Sequence, residues 1–341
     1  MTSEDMKILM EEFLRDMRII VTGGAGFIGS HLTEKLLCMG ADITVIDNFS
    51  TGRKDNLKDF IKKINVIEAD ISLEGEWQKS FQDADWVIHL AALADIVPSI
   101  ENPRRYFESN VSGTLNVLEA AKNSNIKRFI YSASSSCYGI PENYPTNENS
   151  FIDTRYPYAL TKYLGEELVL HWEKVFKIPS ISLRFFNVYG TKSRTSGTYG
   201  AVFGVFLAQK LKNKPFTVVG DGTQTRDFTY VSDVVEAIIA AAKSNISGEV
   251  INIGSDNTYS VNQLVELLGG EVIYIPKRPG EPDCTWADIT KAKKTLDWTP
   301  KISLSEGVKF LLEDINYWKE APVWDEESIN NATKKWFEYL G

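Results

Sequence analysis

Apolar positions along the chain follow two alternating rhythms. Short, nearly unbroken apolar runs occur at residues 18–22, 43–47, 66–69, 86–91, 129–132 and 181–186. Between them, apolar residues recur at helical spacing. Leu32, Leu36 and Leu37 do so before Gly40, Val111, Leu115, Leu118 and Ala121 do so between 103 and 122, and a third such stretch covers 158–176. Strands apolar on both faces, joined by helix-sized connections, predict a parallel sheet covered on both sides. After Asn187 the rhythm changes. A polar loop at 191–200 leads into a helix expected at 202–212, a strand at 216–219 and a turn at Gly220-Asp221-Gly222. Further helices are expected at 232–242, 261–268, 290–296, 304–316 and 329–340, with strands at 250–253 and 272–275. The reading is an α/β chain with a doubly wound parallel sheet and a smaller C-terminal α/β domain. Its expected parts are an extension at 1–17 and a sheet domain at 18–187, with a strand and helix returning to it near 228–255. A second domain at 188–316 and an aromatic extension at 317–341 follow.

The first sixteen residues alternate charged and apolar types and carry Glu4, Asp5, Glu11 and Glu12, unlike a signal or transit segment. Ile8, Leu9, Glu12 and Phe13 suggest a short amphipathic helix, and an unstructured leader is the alternative. No apolar stretch reaches the roughly eighteen residues needed to span a bilayer, so no membrane contact is expected. Among 341 residues the net charge is −9, which argues against a nucleic-acid partner but leaves room for a small anion on a local positive spot. Cys38, Cys137 and Cys284 are too few and too scattered for a disulfide framework or a zinc site, which fits a reducing, cytoplasmic setting. His31, His89 and His171 are isolated, so no metal is expected, and His89 reads as a satisfied structural residue.

Candidate chemistry begins at Gly23, Gly26 and Gly29, spaced three apart between a strand and a helix. Such glycines permit a tight turn, close approach of a pyrophosphate to the backbone, and close helix–strand packing, while free N–H groups at the helix start face the phosphates. Asp47 ends the next strand, where a carboxylate can accept from both hydroxyls of an adenosine ribose and repel a 2′-phosphate. NAD is therefore favoured over NADP, although Arg53 and Lys54 follow closely and offer a partial offset.

Tyr158 and Lys162 form an i, i+4 pair that shares one helix face. A lysine cation beside a tyrosine favours the phenolate, and this predicts a lowered phenol pKa and a base able to work near neutral pH. A plain surface pair is the alternative reading. The strand at 129–132 opens into Ser134-Ser135-Ser136-Cys137, at the end of a parallel strand where open α/β sheets bind ligands. Ser134 is the candidate to hydrogen-bond a substrate hydroxyl and relay a proton toward Tyr158. Ser135 and Ser136 are candidate substrate contacts, and Cys137 reads as structural.

With these motifs together, the chain resembles the extended short-chain dehydrogenase/reductase family, in its NAD-dependent nucleotide-sugar epimerase and dehydratase branch, nearest to UDP-glucose 4-epimerase-like enzymes. The resemblance runs from about Met17 to Leu312 and implies a Rossmann-type sheet. It implies NAD contacts at Gly23, Gly26, Phe27, Ile28, Gly29, Asp47, Asn48, Asp70, Ile71, Leu90, Ala91, Ala92 and Asn110, besides Tyr158 and Lys162. It assigns Ser134, Tyr158 and Lys162 to catalysis. It implies that Asn187, Arg226, Arg278 and Glu281 hold the nucleotide diphosphate and its ribose, as guanidinium donors suit a diphosphate. Relatives that dehydrate a 4-keto sugar carry an Asp-Glu pair after the catalytic Thr, and decarboxylating relatives keep a Glu there. Here those places hold Ser135 and Ser136, which leaves 4-epimerisation through a transient 4-keto sugar as the expected reaction, with dehydration, decarboxylation or reduction as the alternatives. A non-catalytic NAD-binding regulator would need a disabled Tyr-Lys pair, and both residues are present. The resemblance further implies a homodimer through the helices near 103–122 and 158–175, and leaves the sugar open. The tail with Trp318, Trp324, Trp336 and Phe337 is expected to pack on its own domain, with a dimer contact as the alternative.

Overall fold

The computed structural model describes residues 14–195 and 200–341. The amphipathic segment expected around Ile8–Phe13 and part of the polar loop lie outside them. Strands β1 (Arg18–Thr22), β2 (Asp42–Asp47), β3 (Asn65–Glu68), β4 (Trp86–His89), β5 (Arg128–Ser134) and β6 (Ser180–Phe185) run as expected from their apolar patterns. They are followed by β7 (Asn187–Tyr189), β8 (Phe216–Val219), β9 (Thr225–Arg226), β10 (Phe228–Tyr230), β11 (Glu249–Ile253), β12 (Tyr259–Ser260) and β13 (Val272–Ile275).

Seven of these build one parallel sheet in the order β11-β6-β5-β4-β1-β2-β3. The order reverses direction between β1 and β4, so helices lie on opposite faces on the two sides of that point and a crevice opens at the strand ends. One face of the sheet is sealed by a core that includes Leu32, Leu36, Val234 and Ile238, from the helices Phe27–Cys38 and Val231–Lys243. The other is sealed by Val117, Leu118, Ala121 and Val169 against Ile20, Val87 and Phe129. Each such side chain contributes roughly 1.5–3 kcal/mol when fully buried. β11 is thus an edge strand of the first sheet although it lies far along the chain.

The second, smaller α/β body gathers around Phe203, Phe206, Phe216, Val218, Leu264, Leu304, Leu311 and Trp318. Two-stranded parallel pairs β7–β10 and β8–β13 and the antiparallel pair β9–β12 run through this part of the chain. Together these features form a Rossmann-type sheet domain with a smaller C-terminal α/β domain.

Three local departures from the expected elements bear on the site. The apolar run 86–91 stops being strand after His89, because the chain must leave the sheet to pass the crevice. The stretch 103–122 is not one regular helix. Pro103–Phe107 and Gly113–Lys122 are joined by a π-helical turn, Glu108–Ser112, and such turns often mark functional positions. A further helix, Ile96–Glu101, follows the crevice segment and was hidden from periodicity by its six-residue length and its proline. Among the described residues no helix is long and apolar enough to cross a membrane, and no group of three or more His, Cys, Asp or Glu side chains is placed to hold a metal ion.

Candidate active site

One cleft of about 710 Å³ runs from the sheet's switch point to the second body. Every residue singled out above as catalytic, cofactor-binding or substrate-binding lines it except Asn110. The sequence scattered these residues over more than 250 positions, and the parallel topology gathers them because β1, β4, β5 and β6 all end on the same side.

At one end the glycine turn fits a dinucleotide. Gly23 has φ +71°, and a Cβ there would stand 2.7 Å from the Ala91 nitrogen, so the turn is closed to other residues. A Cβ on Gly29 would meet the Gly23 carbonyl at 2.1 Å, so helix and turn pack only with glycine present. Gly26 precedes the helix Phe27–Cys38 without any side-chain cap, which leaves the first helical N–H groups turned to the cleft. Asp47 is fixed by two backbone donors, Ala25 N to Oδ2 at 2.9 Å and Phe49 N to Oδ1 at 2.8 Å. Burial raises its pKa and these two bonds oppose the shift. Each oxygen keeps a lone pair for a ribose hydroxyl.

The two cations proposed to offset Asp47 are engaged elsewhere. Arg53 donates to Thr195 Oγ1 at 2.8 Å and lies over the Tyr317 ring, and Lys54 pairs with Glu68 at 2.8 Å. Asp70 accepts from Asn48 at 3.2 Å and from Ser72, which sets the pair beside the same end.

Asn110 lies behind the cleft lining. Its amide is buried, Oδ1 accepting from Leu93 N at 2.8 Å and Nδ2 donating to Leu93 O at 2.9 Å and Thr161 Oγ1 at 3.0 Å. It braces the crevice segment against the π-helical turn. His89 is likewise satisfied, between Thr22 Oγ1 at 2.6 Å and Thr114 Oγ1 at 2.9 Å, and burial pushes its pKa down to about 3. A neutral imidazole there ties β1, β4 and the helix Gly113–Lys122 together.

The middle of the cleft holds Ser134, Tyr158 and Lys162. Tyr158 and Lys162 lie in the first turns of the helix Pro157–Phe176, whose proline at N1 needs no hydrogen bond. The expected depression of the tyrosine pKa is not what the packing produces. Burial raises it, a hydrogen bond from Ser134 opposes burial, and Asp95 and Cys137 add to the rise. The reason is that Lys162 is buried and turns its ammonium over the face of Tyr131, 4.4 Å from the ring centre, and burial pushes its own pKa down to about 7 with Glu166 opposing. The group that favours the Tyr158 phenolate is therefore the Ser134 hydroxyl, itself accepting from Ser136 N at 3.2 Å. Ser136 Oγ is buried and makes no hydrogen bond among the described residues. Burial pushes the Cys137 thiol up to about 12, which leaves it no use as a base and fits its structural reading.

The far end is cationic. Arg226 donates to Glu281 at 2.8 Å and to Thr225 O at 2.8 Å, and Arg278 approaches the other oxygen of Glu281 at 3.7 Å. Asn187 Oδ1 accepts from Thr285 at 2.7 Å, which leaves its amide nitrogen toward the cleft residues. Behind them Asp227 accepts from Ser255 N, Ala287 N and Thr229 Oγ1, and burial pushes its pKa up to about 6. Two further groups were not singled out from the sequence. Asp95 and Arg194 form an ion pair in the cleft wall near Tyr158, and Trp324 and Trp336 line the cationic end.

The model of the NAD dependent epimerase/dehydratase family matches residues 19–254. This chain belongs to that family. Members of known structure superpose closely on it. The UDP-glucuronic acid 4-epimerase of Bacillus cereus, solved with UDP-glucuronic acid and NAD, is 36% identical with a TM-score of 0.81 over 89% of this chain and 99% of that one. The UDP-glucose 4-epimerase of Thermotoga maritima, solved with UDP-glucose, is 34% identical with a TM-score of 0.83 over 89% and 99%. UDP-glucuronic acid decarboxylase 1 of Arabidopsis thaliana is 35% identical over 311 residues, 87% of this chain and 69% of that protein. The scaffold is thus that of NAD dependent epimerases and dehydratases, and the Bacillus cereus enzyme holds NAD in this fold.

Proposed function

We propose that the protein interconverts the 4-epimers of a UDP-sugar, using NAD held by the glycine turn, Asp47, Asn48, Asp70 and Ile71. The observation that carries this reading is the placement of Ser134, Tyr158 and Lys162 midway between a dinucleotide cradle and a pair of arginines, with serines where an eliminating enzyme needs carboxylates. Bound NAD supplies a hydride acceptor and donor, so no net redox change accompanies turnover. The chain's own residues handle the protons and the positioning. Burial holds the free Tyr158 phenol above its ordinary pKa. With Ser134 donating to its oxygen and the cationic nicotinamide that NAD would bring beside it, Tyr158 reaches the phenolate form and takes the proton of the sugar 4-hydroxyl as that carbon becomes a ketone. After the ketone has turned its opposite face to the cofactor site, Tyr158 returns the proton to the C4 oxygen. Lys162, whose pKa near 7 lets it exchange a proton at neutral pH, stands one helical turn on. Arg226, Arg278 and Asn187 hold the diphosphate while the sugar turns. Asp47 selects NAD over NADP, since Arg53 and Lys54 are occupied.

A decarboxylase reading draws on the Arabidopsis relative and on the Asp95–Arg194 pair, which puts a carboxylate and a guanidinium beside Tyr158. Incubation with UDP-glucose, UDP-N-acetylglucosamine and UDP-glucuronate, followed by mass spectrometry and NMR, separates the two. Epimerisation leaves the mass unchanged, and a product lighter by water or carbon dioxide rules it out. A homodimer fits the same scaffold, because the helices at 103–122 and 157–176 leave Phe107, Leu115, Leu160, Val175 and Phe176 exposed. Sedimentation at a monomer mass would remove that expectation.

A further inference from the structure

The C-terminal segment was expected to pack on its own domain. It does so through Trp318, Ala321 and Ile329, and it also forms a wall of the cleft. Helix Glu326–Leu340 starts at a capping box on Asp325 and packs against the helix Ile96–Glu101 of the sheet domain. Its last turns sit on the loop that carries Arg278 and Glu281. Trp336 Nε1 donates to the Pro279 carbonyl at 2.7 Å, and the Arg278 guanidinium lies 5.5 Å from the centre of the Trp336 ring. A Cβ on Gly280 would rest 3.8 Å from Leu340. Trp336 is only 5% exposed, and it belongs both to the packing and to the cleft lining. Trp336 and the loop at 278–281 both lie beyond the residues 19–254 that the family model matches.

We propose that Trp336 is a positioning residue for the diphosphate-binding end of the cleft, holding the Arg278–Glu281 loop and the Arg278 guanidinium in the geometry that receives a nucleoside diphosphate. The proposal rests on the UDP-sugar reading above and deepens it. An arginine side chain is long and loses much rotamer freedom when it binds. Here the guanidinium lies over an indole, which attracts cations without using an N–H donor. Glu281 pulls the same guanidinium from the side. Without the indole, the guanidinium loses that contact, and the loop loses the Trp336 hydrogen bond that ties it to the C-terminal helix. The cost falls on ligand affinity, because the guanidinium must be re-ordered on binding. It does not fall on the hydride and proton chemistry, which takes place at Tyr158.

The test is calorimetric binding of UDP and of NAD, with steady-state kinetics, for wild type, Trp336→Leu, Trp336→Phe, Arg278→Ala and the Trp336→Leu/Arg278→Ala double variant. Leucine keeps buried apolar volume while removing the π face and the N–H, and circular dichroism checks folding. We expect Trp336→Leu to weaken UDP and raise KM about tenfold, with kcat within about twofold and NAD affinity unchanged. Phenylalanine, which restores the ring face, recovers most of the loss. In the Arg278→Ala background the Trp336 substitution adds little, since the two act as one unit. Unchanged UDP affinity in folded Trp336→Leu overturns the proposal, as does an equal loss with and without Arg278. Failure of the wild type to bind UDP at all overturns the UDP-sugar reading with it.

Discussion

The two ends of the cleft are built on opposite principles. At the redox end, polar groups are few, buried and braced by one another. His89 is neutral between two threonines, Lys162 is pushed down to about 7, and Tyr158 is held up by burial against the pull of Ser134. At the anchoring end, Arg226, Arg278 and Glu281 are ion-paired and fastened from outside, by β9, the Arg278 loop and the C-terminal helix. The contrast shows a division of labour. Groups that must change protonation sit where desolvation moves their pKa, and groups that must only hold sit where charge is paired and fixed. The net charge of −9 conceals this, because in the proposed reaction a diphosphate would meet local guanidinium groups and not the protein's total.

Substitutions at each end should therefore fail differently. The largest effect is expected for Tyr158→Phe, which should lower kcat by about 10²–10⁴ while UDP-sugar and NAD still bind. A parallel loss of UDP affinity in this variant would break the division. Arg226→Ala should weaken UDP roughly 10- to 100-fold, the worth of one or two charge-assisted hydrogen bonds, with a smaller change in kcat. If kcat falls more than affinity, the arginine belongs to the chemistry. Asp47→Asn should weaken NAD about tenfold and narrow its advantage over NADP, measured by titration with both. Equal losses for the two cofactors would remove Asp47 from the selection.

A further effect is read on stability and not on turnover. The pKa of Lys162 falls from 10.5 unfolded to about 7 folded, so the folded state binds fewer protons between those values. Its penalty is therefore full below pH 7 and falls as pH rises toward 10.5. Lys162→Met should raise the melting temperature of nucleotide-free protein more at pH 6 than at pH 9, by an amount that reflects a penalty of roughly a few kcal/mol. An identical gain at both pH values would mean that the amine is not desolvated.

How much of this was legible in the sequence differed between the two ends as well. The apolar runs of β1 to β6 and the glycine turn announced the sheet, because strands buried on both faces and a helix starting at glycine leave strong local patterns. The chain's return to the sheet at β11 is a long-range pairing, yet the apolar run 250–253 marked it. What could not be read was the electrostatic outcome. Spacing puts Tyr158 and Lys162 on one helix face, but only packing reveals that the lysine turns to Tyr131 and that Ser134 supports the phenolate. The setting of Asn110 was hidden for a related reason. A motif position identifies a neighbourhood, and only packing shows that its amide bonds to Leu93 and Thr161 behind the cleft lining. The tail's tryptophans were visible as composition. Their place at Arg278 was not, because nothing local in residues 318–341 points to a loop about sixty residues earlier.

The most direct test of the central claim uses a UDP-sugar deuterated at C4, with the products followed by NMR in ordinary water. Oxidation and reduction at C4, with Tyr158 carrying only the hydroxyl proton, predicts a 4-epimer that keeps its deuterium at C4 and gains no solvent hydrogen at C3 or C5. Loss of the label to water, or exchange at C5, would contradict the account and move the chemistry to elimination or to carbon-acid epimerisation.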